Sequence, residues 1–258
     1  MKGAIIGDIV GSIYEWNNIK TKDFPLFQEK CFFTDDTVLT CAVAYAINHS
    51  DRAHLLGELK QALQGFGRRY PHRGYGRHFK AWMWLPNPTP YNSCGNGAAM
   101  RVSPAGFCGD SPSAARYIGE ITAEPTHNHP ESLKAAGLVA ELIWRARHGA
   151  DMRELLRTAE IAYSWCSLDE IRPDYKFDVT CQGTMPAVLA SFFESTDFED
   201  AIRNAVSVGG DSDTIAAITG SIAEAYYGVP NEIWERAKGF LDADLTKVVD
   251  AFYARHDS

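Results

Sequence analysis

Val208-Gly209-Gly210-Asp211-Ser212-Asp213-Thr214-Ile215-Ala216-Ala217-Ile218-Thr219-Gly220 joins a turn, an acidic cluster and an apolar run of small side chains. Ile215, Ile218, Ile222, Ala225 and Tyr226 recur at helical spacing, which predicts a helix starting near Asp213. One carboxylate at such a position reads as a helix cap. Two carboxylates flanking a hydroxyl fit capping less well, because like charges held together cost free energy unless a cation lies between them. Hard oxygen donors of this kind suit Mg²⁺, Ca²⁺ or Mn²⁺.

Much earlier, Thr34-Asp35-Asp36-Thr37 repeats the arrangement ahead of a second apolar run, Val38, Leu39, Ala42, Val43, Ala46 and Ile47. Two such helix mouths facing each other would supply four carboxylates with hydroxyls beside them, enough for a two-metal site. The rest of the chain is read around that pairing.

No linker divides the 258 residues, so a single domain over 1–258 is expected. With 45% hydrophobic and 22% charged residues, the composition is that of a globular protein with ample core. A net charge of −8 argues against a general nucleic-acid binder, though a local basic groove stays possible. The six cysteines include no C-x-x-C pair, which excludes the usual zinc spacings and does not resemble a disulfide framework. The opening run Ala4-Ile5-Ile6 is cut by Gly7-Asp8, so no signal peptide is read, and no segment approaches the roughly 20 apolar residues of a membrane span. A cytoplasmic, reducing compartment is expected.

Helical periodicity covers residues 3–16, with Gly3, Gly7 and Gly11 along one edge, where they would let another backbone approach closely. On general statistics Glu15, at the end of that segment, reads as a solvated surface residue. A loop over 17–33 follows, then helical pattern from about 54 to 70, broken by Pro71. Arg68 to Lys80 interleaves basic and aromatic residues, a pattern suited to a nucleic-acid strand, an anionic small ligand or a solvated face. Trp82, Trp84 and Leu85 read as core or pocket wall, and Pro86, Pro88 and Pro90 as an extended connection. Ser93-Cys94-Gly95-Asn96-Gly97 is a glycine-containing loop running into an expected helix that ends near Pro104. Such loops expose backbone N–H groups to phosphate oxygens, although a simple turn has the same pattern. Pro130 suits the first position of a helix running through His148, and His127-x-His129 lacks the partners for zinc. Further helices are expected at 151–167, 184–194, 197–207, 231–238 and 240–255. Alternation is confined to Phe177-Val179-Cys181, so the fold class is all-α, a multi-helix bundle.

Taken together, these motifs resemble the ADP-ribosylglycohydrolase family. Gly7-Asp8-Ile9-Val10-Gly11-Ser12-Ile13-Tyr14-Glu15 is similar to the family's opening G-D-x-x-G-x-x-x-E, and Thr34-Asp35-Asp36 to its T-D-D. Ser93 to Met100 resembles its G-N-G loop, Thr126-His127 its T-H segment, and Gly210 to Thr214 its G-x-D-x-D-T signature. The resemblance implies a compact many-helix bundle holding two Mg²⁺ or Mn²⁺ ions through Thr34, Asp35, Asp36, Asp211, Asp213 and Thr214. It also implies a mobile Glu15 over the metals, a diphosphate cradle at Ser93, Gly95, Asn96 and Gly97, and an ADP-ribose contact at His127. The wording around Glu15 is closer to the serine-ADP-ribose and poly(ADP-ribose) branch than to the arginine branch.

The implied reaction is hydrolysis of the bond between ADP-ribose and a protein side chain or other acceptor, releasing ADP-ribose. Asp36 or Glu15 would act on the attacking water. Two other functions share these features: a non-catalytic ADP-ribose-binding relative, and a two-metal nucleotide phosphohydrolase. Crowded carboxylates at both helix mouths weigh against the first.

Overall fold

The computed structural model describes residues 1–256. Among these residues there are thirteen α-helices: α1 (Lys2–Gly11), α2 (Asp35–His49), α3 (Leu55–Arg69), α4 (Arg77–Trp82), α5 (Pro112–Ala123), α6 (Pro130–Arg147), α7 (Met152–Glu160), α8 (Leu168–Ile171), α9 (Cys181–Phe193), α10 (Phe198–Val208), α11 (Ser212–Tyr227), α12 (Asn231–Lys238) and α13 (Ala243–His256). No strand forms among them, and a lone bridge joins Gly95 to Thr180. The expected all-α class is what the structure has.

α11 is the axis of the bundle. Every residue from Ser212 to Glu224 is buried, so its alanines, glycine and hydroxyl side chains serve to let neighbouring helices approach on all sides. α1 lies against it at backbone contact distance. A methyl group at Gly3 would sit 2.0 Å from the carbonyl oxygen of Gly220, and one at Gly7 2.0 Å from that of Ala216. At Gly11 it would sit 2.4 Å from the Cα of Asp213. The glycine edge read in the sequence is therefore the seam between the first helix and the central one, and it fixes the start of α11 beside the end of α1.

α1 stops at Gly11, short of the expected residue 16. Ser12 Oγ donates back to Ile9 O at 2.8 Å, and residues 12–17 continue as turns, with Tyr14 N donating to Gly11 O. That break turns the chain so that Glu15 joins the far end of the acidic cluster.

Other boundaries differ for local reasons. The helix expected after Gly97 is replaced by two short 3-10 turns, Asn96–Ala98 and Ser103–Phe107. The segment 151–167 is helical only to Glu160; a separate turn, α8, follows under its own Ser167–Glu170 capping box. Phe177 and Val179 are exposed while Cys181 is buried, but the alternation makes no strand. Trp82 is buried as expected, whereas Trp84 and Leu85 are exposed. There Gln64 takes the carbonyls of Trp82 and Leu85 and Arg68 that of Met83, turning the chain outward. α5 was not expected at all.

Candidate active site

The two acidic helix mouths meet. Thr214 Oγ1, in the first turn of α11, donates to Asp36 Oδ2, in the first turn of α2, at 3.3 Å. The mouth of α2 is built on Asp8 of α1. Thr34 caps α2 by accepting from Asp36 N and donates to Asp8 through both its N–H (2.9 Å) and its hydroxyl (2.7 Å). Thr37 adds its own N–H and hydroxyl to the same carboxylate. The mouth of α11 follows two glycines in the left-handed region, Gly209 (φ 75°) and Gly210 (φ 70°). Asn18 holds that turn, accepting from Gly210 N and donating to Gly210 O, Tyr14 O and Glu15 O. The Glu15 segment and the Asp211 turn are thus tied together by one side chain.

Capping does not explain Asp211. It occupies the N-cap position of α11, yet its side chain makes no capping hydrogen bond; Oδ2 instead accepts from Asn96 Nδ2 at 2.7 Å. Asn96 also donates to Thr184 Oγ1, so its amide orients the carboxylate. Carboxylate oxygens of Glu15, Asp211 and Asp213 lie within 4.8 Å of one another. Burial, reinforced by neighbouring carboxylates, pushes Asp35, Asp36 and Asp213 well above the ordinary carboxylate range. Burial chiefly, then the charge of Asp211, raises Glu15 to about 7. Asp36 Oδ1 is buried with no hydrogen-bond partner among the described residues. A buried, unpaired carboxylate oxygen among other carboxylates carries a large desolvation penalty, which a divalent cation would offset. The donors are all hard oxygens, and the set fits such a cation.

These residues line a cavity of about 370 Å³ that also takes in Ser93, Gly95, Asn96, Gly97 and His127. Every site residue expected from the sequence faces this cavity. The glycine loop differs from a simple cradle of free N–H groups: Gly95 N donates to Ser93 Oγ (3.1 Å) and Asn96 N to Val179 O (2.8 Å). Its glycines leave room for the buried imidazole of His127, since a methyl at Gly97 would sit 3.0 Å from Nε2. Burial, with Arg101's charge behind it, holds His127 neutral, well below the ordinary histidine range. From the basic-aromatic segment, Arg77 and His78 reach the cavity. Arg68 and Arg73 are engaged with backbone carbonyls instead. Trp16 and Phe177 stack at 5.0 Å on the same cavity wall as Glu15.

Three residues that build this site had no role expected for them from the sequence. Asp8 and Asn18 hold the two mouths, and Arg101 lies fully buried behind His127. A lone carboxylate inside an apolar helix, Ala4-Ile5-Ile6-Gly7-Asp8-Ile9-Val10, was the available signal for Asp8.

The ADP-ribosylglycohydrolase family profile matches residues 1–258. The chain belongs to the ADP-ribosylglycohydrolase family. A relative from Pseudomonas putida (strain GB-1), ADP-ribosylarginine hydrolase Tri1, is 32% identical over 57% of this chain and 42% of its own length. The ADP-ribosyl-[dinitrogen reductase] glycohydrolase of Rhodospirillum rubrum is 28% identical over 72% of this chain and 62% of its own. The match to mouse ADP-ribosylhydrolase ARH3 is longer, 95% of this chain and 88% of that protein, at 22% identity. A solved structure described as an ADP-ribosylglycohydrolase-related protein complex superposes with a TM-score of 0.73 at 26% identity, covering 98% and 94% of the two chains. Among the described residues no helix is long and apolar enough to cross a membrane.

Proposed function

We propose that this chain is a single-domain, metal-dependent hydrolase that cleaves the glycosidic bond between ADP-ribose and an acceptor, a modified protein side chain or another ADP-ribosyl conjugate, and releases ADP-ribose. The observation that carries this is one cavity lined both by crowded carboxylates and by a glycine loop beside a neutral histidine. Two Mg²⁺ or Mn²⁺ ions bound by Thr34, Asp35, Asp36, Asp211, Asp213 and Thr214 would orient the ribose hydroxyls and acidify a water.

The chain's own groups do the rest. Ser93 and Gly97, with His127 beneath the loop, face the diphosphate; Gly95 and Asn96 shape that loop through hydrogen bonds of their own, and Arg77 lends the cavity the positive charge that an anionic ligand needs. Glu15, whose carboxylate lies on the cavity beside those of Asp211 and Asp213, is placed to take a proton from water; Asp36 is the second candidate. A bond from the water oxygen to the anomeric carbon forms as the bond to the acceptor breaks, and the acceptor leaves with the electron pair and a proton. Six unpaired cysteines are in keeping with action in the cytoplasm.

Incubation with Mg²⁺ or Mn²⁺ and peptides ADP-ribosylated on arginine or serine, followed by chromatography, tests this. Free ADP-ribose is the expected product. Phosphate or AMP would indicate the phosphohydrolase, and binding without turnover on every acceptor the non-catalytic relative.

A further inference from the structure

Behind the cavity, Thr126 Oγ1 lies 2.8 Å from Arg101 Nη2 and 2.7 Å from His127 Nδ1. A guanidinium only donates, so the hydroxyl accepts from Arg101. A hydroxyl carries one proton, and of these two neighbours only His127 Nδ1 can accept it. We infer that Arg101, acting through Thr126, fixes His127 as the neutral tautomer protonated on Nε2 and aims that N–H into the cavity beneath the Gly95–Gly97 loop, as a donor to an anionic ligand oxygen. That the oxygen belongs to a diphosphate rests on the function proposed above; the tautomer does not.

Three observations support this arrangement. Arg101 is fully buried, so its charge is held in place and disfavours a second positive charge on the imidazole. A methyl at Gly95 or Gly97 would come within 3.4 or 3.0 Å of Nε2, so the glycines keep that nitrogen clear. The N–H groups of Gly95 and Asn96 are already engaged, which leaves an anion in need of another donor there. Tyr91 faces the same pair, its ring 6.0 Å from that of His127 and its side chain hydrogen-bonded to Thr126; burial pushes its phenol up to about 12, so it keeps a proton to donate to that hydroxyl, whose own proton then goes to His127. Arg101 and Thr126 are therefore positioning residues.

The test uses the intact protein labelled with ¹⁵N-histidine, with the His127 signals among the eight histidines assigned by their loss in His127→Gln. Long-range proton–nitrogen correlation should show a bare Nδ1 and a protonated Nε2. Thr126→Val should abolish that preference, and Thr126→Ser, which keeps the hydroxyl, should retain it. In calorimetry with Mg²⁺, Thr126→Val should weaken ADP-ribose binding roughly tenfold, the loss expected for one charge-assisted hydrogen bond. Thr126→Ser should bind like wild type. An Nδ1-protonated ring in wild type, with the hydroxyl proton turned to Tyr91, would overturn the inference, and so would an unchanged spectrum in Thr126→Val. If wild type fails to bind ADP-ribose at all, the proposed function falls, while the spectrum still decides the tautomer.

Discussion

Both the backbone N–H and the hydroxyl of Thr34 donate to the carboxylate of Asp8, so the first acidic mouth is hung from a helix none of whose residues lines the cavity. With Thr37 included, four donors converge on this one buried group. Asparagine keeps a single acceptor oxygen and turns an NH₂ toward donors. Asp8→Asn should therefore destabilise the protein by about 2–4 kcal/mol. It should also weaken Mg²⁺ binding, because Asp35 and Asp36 lose the anchor of their turn. A thermal melt combined with a Mg²⁺ titration checks both; an Asp8→Asn protein with wild-type Mg²⁺ affinity would show that the turn holds itself.

Glycine substitutions divide by helix. At Gly7 a methyl would meet the backbone of Ala216, which cannot yield without separating α1 from α11. Gly7→Ala should cost about 3 kcal/mol or more, as overpacking does where backbone is the obstacle. Gly57 and Gly65 on α3 have nothing within 4 Å of the added carbon. Gly65→Ala should then stabilise by about 0.5–1 kcal/mol through helix propensity and a restricted unfolded chain. Denaturant melts of the two variants should shift in opposite directions.

This seam was legible because its signal is local: glycines four apart on one edge of an apolar helix. The two acidic mouths were legible for the same reason, each being a short run ahead of an apolar one. α5 was not. Its buried face is Ala115, Ile118, Gly119, Ile121, Thr122 and Ala123, in which small and polar side chains blur the apolar stripe. The role of Asn96 was hidden differently. Its partner Asp211 is 115 residues away, and the loop expected to meet a ligand orients a carboxylate. Asn18 acts on Gly210, 192 residues on, and Arg101 on Thr126, 25 residues on, both beyond the reach of a local spacing rule. Glu15 shows statistics giving way to position: a residue type that is usually solvated becomes one wall of a cavity once the helix ends at Gly11.

Metal should flatten a pH dependence. In the metal-free protein Glu15 holds its proton up to about 7 against an ordinary value of 4.5, and Asp35, Asp36 and Asp213 are raised as well. The folded state then binds more protons than the unfolded one in that interval. The stability from these groups is present at low pH and is lost as pH rises from the carboxylate range through about 7. Mg²⁺ or Mn²⁺ should flatten the decline and, at a hundred times its dissociation constant, stabilise by about 3 kcal/mol. Asp211→Asn and Asp213→Asn should weaken the metal response and make the metal-free protein less sensitive to pH. Melting curves with and without Mg²⁺ between pH 5 and 8 test this; curves indifferent to metal throughout would remove the metal site.

Glu15→Gln separates the last two roles. The side chain is nearly isosteric, and the Asn18 clamp on this segment uses backbone carbonyls, so the fold should be kept. Glutamine removes a negative charge from beside Asp211 and Asp213, so the metal-free variant should melt higher than wild type above pH 7, where Glu15 would otherwise be ionised. It also cannot accept a proton as a base. Turnover on the best ADP-ribosyl acceptor, with saturating Mg²⁺, should fall by about 100-fold or more. ADP-ribose affinity should change far less, because Ser93, Gly97 and His127 are untouched. Turnover close to wild type, together with the higher melting temperature, would assign the wall to Glu15 and the proton to Asp36.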